Sequence, residues 1–131
     1  MASPPEWTNP PGVIAPVAHY SQVARAGNTL YISGQLGVDE SGQPMGIGDA
    51  RAQARQAWKN LVAVLAAYGA TPRQLVKTNT YITHHAYRPL VGEARDEVFP
   101  GPPYPPSTLV VVSSLAEPQF LVEIEAVAVL D

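Results

Sequence analysis

The chain has 131 residues, the length of one domain around one core, and 46% of them are hydrophobic against only 15% charged, well below the roughly 25% of an ordinary soluble domain. So sparse a polar surface implies that part of it is covered by other subunits. Eight Lys and Arg against eleven Asp and Glu leave a formal charge of -3, which disfavours nucleic acid and anionic membranes as partners, and the absence of cysteine excludes disulfides and thiolate chemistry.

Five prolines (Pro4, Pro5, Pro10, Pro11 and Pro16) fall in the first sixteen residues and remove amide donors, so residues 1–15 read as an extended arm before a single domain over 16–131. That start has no basic segment followed by an apolar one, and no later stretch approaches 18 apolar residues, so a soluble, cytoplasmic chain is expected. An extended run from His19 to Ala24, a turn at Gly27-Asn28 and a second run from Thr29 to Leu36 predict a hairpin. Simple alternation along the second run puts Ser33 and Gln35 on the face opposite Leu30 and Ile32. Asp49 then opens a helix in which Ala54, Trp58, Leu61, Leu65 and Tyr68 recur at spacings of three and four, and Gly69 closes it.

Thr71-Pro72-Arg73-Gln74 has the makings of a capped single turn. A third strand is expected over Val76 to Thr83, a second helix from Arg88 or Pro89 to Phe99, and closing strands over Ser107 to Ser113 and Phe120 to Leu130. The order β-β-α-β-α-β-β describes an α+β sheet with both helices on one face. Leu109 to Val112 are apolar on both sides, as in a strand buried on both faces, and in the last strand Leu121, Glu123, Glu125, Val127 and Val129 alternate with a wholly apolar set. Two helices cover one face only, so the second face calls for another subunit and turns Glu123 and Glu125 towards it.

A carboxylate on an otherwise apolar strand face acquires a raised pKa suited to acid or base work, although an interface ion pair explains Glu123 and Glu125 as well. Tyr20, Ser33 and Gln35 supply polar groups able to hold a water or a carbonyl oxygen. His19, His84 and His85 lack metal-ligand spacing, and neither a nucleophile elbow nor a phosphate-binding glycine loop occurs, so no metal or cofactor is expected.

Tyr20-Ser21-Gln22, Ile32-Ser33-Gly34-Gln35, Gln53-Ala54-Arg55-Gln56, Val76-Lys77-Thr78 and the terminal run Val122 to Val129 together resemble the Rid (YjgF) family of reactive-intermediate deaminases, over about Ala15 to Leu130. The resemblance implies a chorismate-mutase-like fold, a homotrimer whose sheets form a central barrel, and a small-molecule pocket at each subunit interface. It further implies cofactor-free hydrolysis of enamines and imines to keto acids and ammonia. Glu123 matches the glutamate linked to the attacking water, with Ser33 and Tyr20 as its catalytic neighbours. By the same resemblance Gly34, Gly92, Tyr104, Pro106, Ser107 and Thr108 line the substrate pocket, and His19 is placed with them only by its adjacency to Tyr20, as a second acid or base. Active members hold the substrate carboxylate with an arginine at the start of the fourth strand, where this chain has Pro106, a residue without even a backbone N–H. The expectation is therefore a Rid-type hydrolase of an imine, enamine or related metabolite other than the usual 2-imino acid. The alternatives are a non-catalytic trimer binding a small uncharged or cationic ligand and, against the acidic balance, an endoribonuclease-like activity.

Overall fold

A computed structural model of the chain describes residues 4–131; the first three residues of the predicted arm lie outside the described residues. Six strands, β1 (Glu6–Thr8), β2 (Val23–Ala26), β3 (Thr29–Leu36), β4 (Leu75–Ile82), β5 (Ser107–Val111) and β6 (Val122–Val129), form one sheet in the order β1-β2-β3-β6-β4-β5. All pairs are antiparallel except β4 with β5. Helices α1 (Ala50–Ala67) and α2 (Arg88–Val98) pack on one face. The fold is the predicted α+β, chorismate-mutase-like arrangement, with one strand added at the edge. No helix among the described residues is long and apolar enough to cross a membrane.

The core follows from periodicity. Leu30 and Ile32 of β3, Ile82 of β4, and Val122, Ile124 and Ala128 of β6 point to the helices. They meet Ala54, Trp58, Leu61 and Leu65 of α1 together with Val91 and Ala94 of α2. Asp49 caps α1 by accepting from the Ala52 amide at 3.0 Å, and Gly69 ends it at φ +70°, a conformation that glycine adopts without steric cost. The Thr71–Gln74 capping box forms around a single 3-10 turn. Arg51 and Arg55 of α1 pair with Glu93 and Glu97 of α2 at 2.8 and 2.6 Å across the solvent side.

Buried Gln53 joins the helix to two loops. Its amide nitrogen donates to the carbonyls of Gly46 and Gln119 at 3.1 and 3.0 Å, and its oxygen accepts from the Leu121 amide at 2.7 Å. A Cβ on Gly37 would stand 2.9 Å from the Gln53 Cα, so the loop after β3 lies directly against this residue. The chain entering β6, and with it Glu123, is thereby tied to the helix layer.

Four expectations need correction. The arm carries a short strand, because Glu6, Trp7 and Thr8 sit between proline pairs and pair with Arg25, Ala24 and Val23. The first hairpin strand starts at Val23 instead of His19, since the Gln22 amide donates to the Asn9 side chain at 2.9 Å and the ladder loses that donor. Gln35 does not share a face with Ser33: a bulge between Ile32 and Gln35 sets Ile32 opposite Ala126 and Gln35 opposite Ile124, which turns Gln35 into the buried side. Within the single chain β5 is not buried on both faces. It is the edge strand, and although Leu109 packs against the core, Val110 and Val111 are left 42% and 52% exposed.

Candidate functional site

The sheet face away from the helices bears the candidate chemistry. On β6 the residues Val122, Ile124 and Ala126 turn inward, so Glu123 and Glu125 turn outward and stand two apart on the same side. On β4 the alternation that buries Thr78, Thr80 and Ile82 turns Lys77, Asn79 and Tyr81 the same way, with Tyr81 opposite Glu123 and Asn79 opposite Glu125. From the other side β3 brings its bulge, where Gly34 has no side chain to fill the space. A Cβ there would lie 2.1 Å from Glu123 Oε2, so the carboxylate rests directly over the glycine.

Glu123 is half-buried and forms neither a hydrogen bond nor an ion pair among the described residues. Burial raises its pKa above the ordinary glutamate value, and the neighbouring Glu125 charge adds to the effect. Glu125, by contrast, is anchored: the Tyr81 hydroxyl donates to Oε1, and Asn79 Nδ2 approaches the same oxygen at 3.4 Å. That hydrogen bond foremost, then burial and the charges of Glu125 and Glu123, raises the Tyr81 pKa and keeps its hydroxyl a donor. Gly34, Tyr81, Glu123 and Glu125 line an open cleft of about 350 Å³ together with Val112 and Ser114.

The remaining predicted site residues fall into four groups. His19, Tyr20 and Ser33 line a wider cleft of about 690 Å³ together with Trp7 and Tyr31, and Glu125 belongs to both clefts. Ser33 Oγ donates at 2.8 Å to Gln22 Oε1, which also accepts from Gln35 Nε2 at 2.9 Å. The Ser33 lone pairs are thus left to accept a hydrogen bond from a ligand or water. Tyr104 and Pro106 line a third cleft of about 460 Å³ beside Arg73 and Phe99. Ser107 and Thr108 begin β5, with Thr108 Oγ1 2.6 Å from Lys77 Nζ. Gly92 lies within α2, in the helix layer.

One chain therefore brings together Glu123 and Gly34, and separately His19, Tyr20 and Ser33, but it does not bring Tyr104, Pro106 or Gly92 to them. Sequence reasoning missed Tyr81 and Asn79. The signal was available in the period-two pattern of Leu75 to Ile82, which places both on the carboxylate side once β4 and β6 are known to pair. His84 serves local structure instead: its Nδ1 accepts from the Ala86 amide at 3.0 Å and caps the short turn before α2.

The sequence model of the family described as Endoribonuclease L-PSP matches residues 12–130. A 2-iminobutanoate/2-iminopropanoate deaminase of Dermatophagoides farinae is 34% identical over 129 residues, covering 98% of this chain and 99% of that protein. The 3-aminoacrylate deaminase RutC of Acinetobacter baylyi is 30% identical over 125 residues, covering 95% and 98%. Among solved structures, RidA from the Antarctic bacterium Psychrobacter superposes with a TM-score of 0.83 at 34% identity, over 90% of this chain and 94% of its own. With the family's fold, its sequence pattern and near full-length relatives in hand, the chain belongs to the Rid (YjgF/RidA) family, the one whose sequence model is described as Endoribonuclease L-PSP.

Proposed function

We propose that the protein hydrolyses a small imine or enamine to a carbonyl compound and ammonia, with water activated at Glu123. The observation that carries this reading is the Glu123 carboxyl group itself, half-buried over Gly34, unpartnered and facing an open cleft. A carboxylate with raised proton affinity takes a proton from water as the oxygen adds to the imine carbon. Returning that proton to nitrogen, and then passing the adduct's hydroxyl proton to the same nitrogen, lets the tetrahedral adduct expel ammonia as the carbonyl forms. Ser33 and Tyr20 orient the reacting atoms from the adjoining cleft. The deaminase names of two near full-length relatives support the reaction class.

Pro106, at the position where the resemblance expects the carboxylate-binding arginine, argues against 2-imino acids as the preferred substrates. A charge-assisted hydrogen bond contributes on the order of 1.5 to 3 kcal/mol, and Pro106 provides none. The uncovered sheet face, with Tyr31 53% and Val129 41% exposed beside half-buried Val127, supports assembly as a homotrimer in which neighbouring chains cover it. In such an assembly Tyr104, Pro106, Ser107, Thr108 and Gly92 act as pocket residues through a neighbouring copy.

A direct test generates imines in situ, from an amino acid with an amino-acid oxidase and from a primary amine with an amine oxidase, and follows their loss by semicarbazide trapping. The wild type should accelerate loss of the amine-derived imine and leave 2-iminopropanoate near its spontaneous rate; Pro106→Arg should gain 2-iminopropanoate hydrolysis, and Glu123→Ala should act on neither. Rapid hydrolysis of 2-iminopropanoate by the wild type, unchanged in Pro106→Arg, would overturn the substrate reading. Saturable ligand binding with no turnover in any arm would favour a binding trimer, the reading to which the missing arginine lends weight.

A further inference from the structure

We infer that the ligand of the Glu123 cleft is an organic cation, a small protonated imine or ammonium compound without a carboxylate, and that Glu125 is the residue that selects it. The inference rests on the reading of this cleft as the ligand site and adds the charge class of what enters it.

Three observations converge. Glu125 is shared by the two clefts on the uncovered sheet face, so any ligand lying across them meets its carboxylate. It is held there by Tyr81 and Asn79, whereas Glu123 has no such anchor. A fixed carboxylate loses little freedom on meeting a cation, which favours it as a recognition group, and the unanchored neighbour is left for proton transfer.

The second observation is the absence of a competing cation. Neither lysine nor arginine lines either cleft among the described residues. Lys77, which shares the β4 face with Asn79 and Tyr81, has its ammonium on Thr108 Oγ1 at 2.6 Å. Among the described residues the one basic side chain lining either cleft is the exposed His19 of the wider one.

Third, the wall of the wider cleft is aromatic. Trp7 and Tyr20 line it and are 76% and 41% exposed, and Tyr31, on the sheet face that a neighbouring copy covers in the proposed trimer, adds a third ring to the wall. Aromatic faces beside a carboxylate suit ammonium and iminium groups, which the ring quadrupole attracts and which an uncharged or anionic ligand cannot exploit. An iminium ion is also the more electrophilic form of an imine. Water adds to its carbon, one of that water's protons passes to Glu123 and on to nitrogen, and ammonia departs as the hydroxyl gives its remaining proton to the freed Glu123 carboxylate and the carbonyl forms. A site that binds the cation therefore binds the form ready to react.

The test is calorimetric titration with three probes of equal chain length: n-butylammonium chloride, sodium butyrate and 1-butanol. The wild type should prefer butylammonium to butyrate by on the order of tenfold or more, as one charge-assisted hydrogen bond supplies. Glu125→Gln should erase that preference and leave butanol binding unchanged. Tyr81→Phe retains the ring but frees the carboxylate, and should weaken butylammonium by an intermediate factor with butanol again unaffected; if Glu125→Gln does not fold, this variant decides alone. Butyrate binding as well as butylammonium, a preference that survives Glu125→Gln, or no saturation by any probe would overturn the inference. A cation preference lost in Glu125→Gln, in a protein that hydrolyses no imine, would sustain the inference and defeat the hydrolase reading; hydrolysis without a cation preference would do the reverse.

Discussion

Gly34→Ala tests the geometry at Glu123 without reference to any substrate. The φ of Gly34 lies outside the left-handed region, so alanine fits the backbone, but its Cβ would stand 2.1 Å from Glu123 Oε2, 2.5 Å from Cδ and 2.8 Å from Cγ. To restore an ordinary contact of 3.4 Å the carboxylate must retreat by roughly 1.3 Å, and it does so as the free end of a flexible side chain. Removing glycine from the unfolded chain contributes about 0.4 to 1 kcal/mol, and an off-rotamer Glu123 costs about 0.5 to 1.5 kcal/mol. The two nearly cancel, so urea denaturation should place the variant within about 1 kcal/mol of the wild type.

Burial is the first cause of the raised Glu123 pKa, so moving the carboxylate outward should lower that pKa towards the ordinary glutamate value. Carboxyl-carbon NMR titration of both proteins reads this directly, and imine hydrolysis should fall on the order of a hundredfold, the cost of displacing a reacting group by about 1 Å. A Gly34→Ala protein that retains the raised Glu123 titration and full activity would show that the carboxylate does not rest over the glycine.

Three further outcomes follow from the same structure. Gln53→Leu strands the carbonyls of Gly46 and Gln119 and the amide of Leu121, and should cost about 3 to 5 kcal/mol in urea denaturation, far more than an exposed helix substitution. Glu123→Gln should be more stable than the wild type at neutral pH. The folded-state pKa of Glu123 is raised, so its favourable contribution is complete below the unfolded value of about 4.5 and is lost as pH rises through the folded value; thermal melts should converge at acid pH and diverge above it. Sedimentation at micromolar concentration should give a three-chain particle, and a single-chain species would remove the proposed role of neighbouring copies in the pocket.

Much of the fold was legible because its signals are local. The Asp49 cap, the three-and-four spacing to Tyr68, Gly69 and the Thr71-Pro72-Gln74 turn each specify their own few residues, and all four appear as read. The alternation along β6 likewise separated Glu123 and Glu125 from the core side correctly. What escaped depends on pairing. A one-residue bulge at Ser33-Gly34 reverses the parity of Gln35 without changing composition, and only the register against Ala126 and Ile124 reveals it. Tyr81 acquired meaning only when β6 was found inserted between β3 and β4, a strand order that no local pattern encodes. Asn9 ending the β2 ladder by capturing the Gln22 amide is a contact of the same long-range kind.

Water activation by Glu123 is read from the rate of loss of an amine-derived imine with wild type and with Glu123→Gln, whose fold and volume are closely kept. The wild type should clearly accelerate that loss, and Glu123→Gln should leave only the spontaneous rate. Equal acceleration by the two proteins would mean that Glu123 does not activate the water.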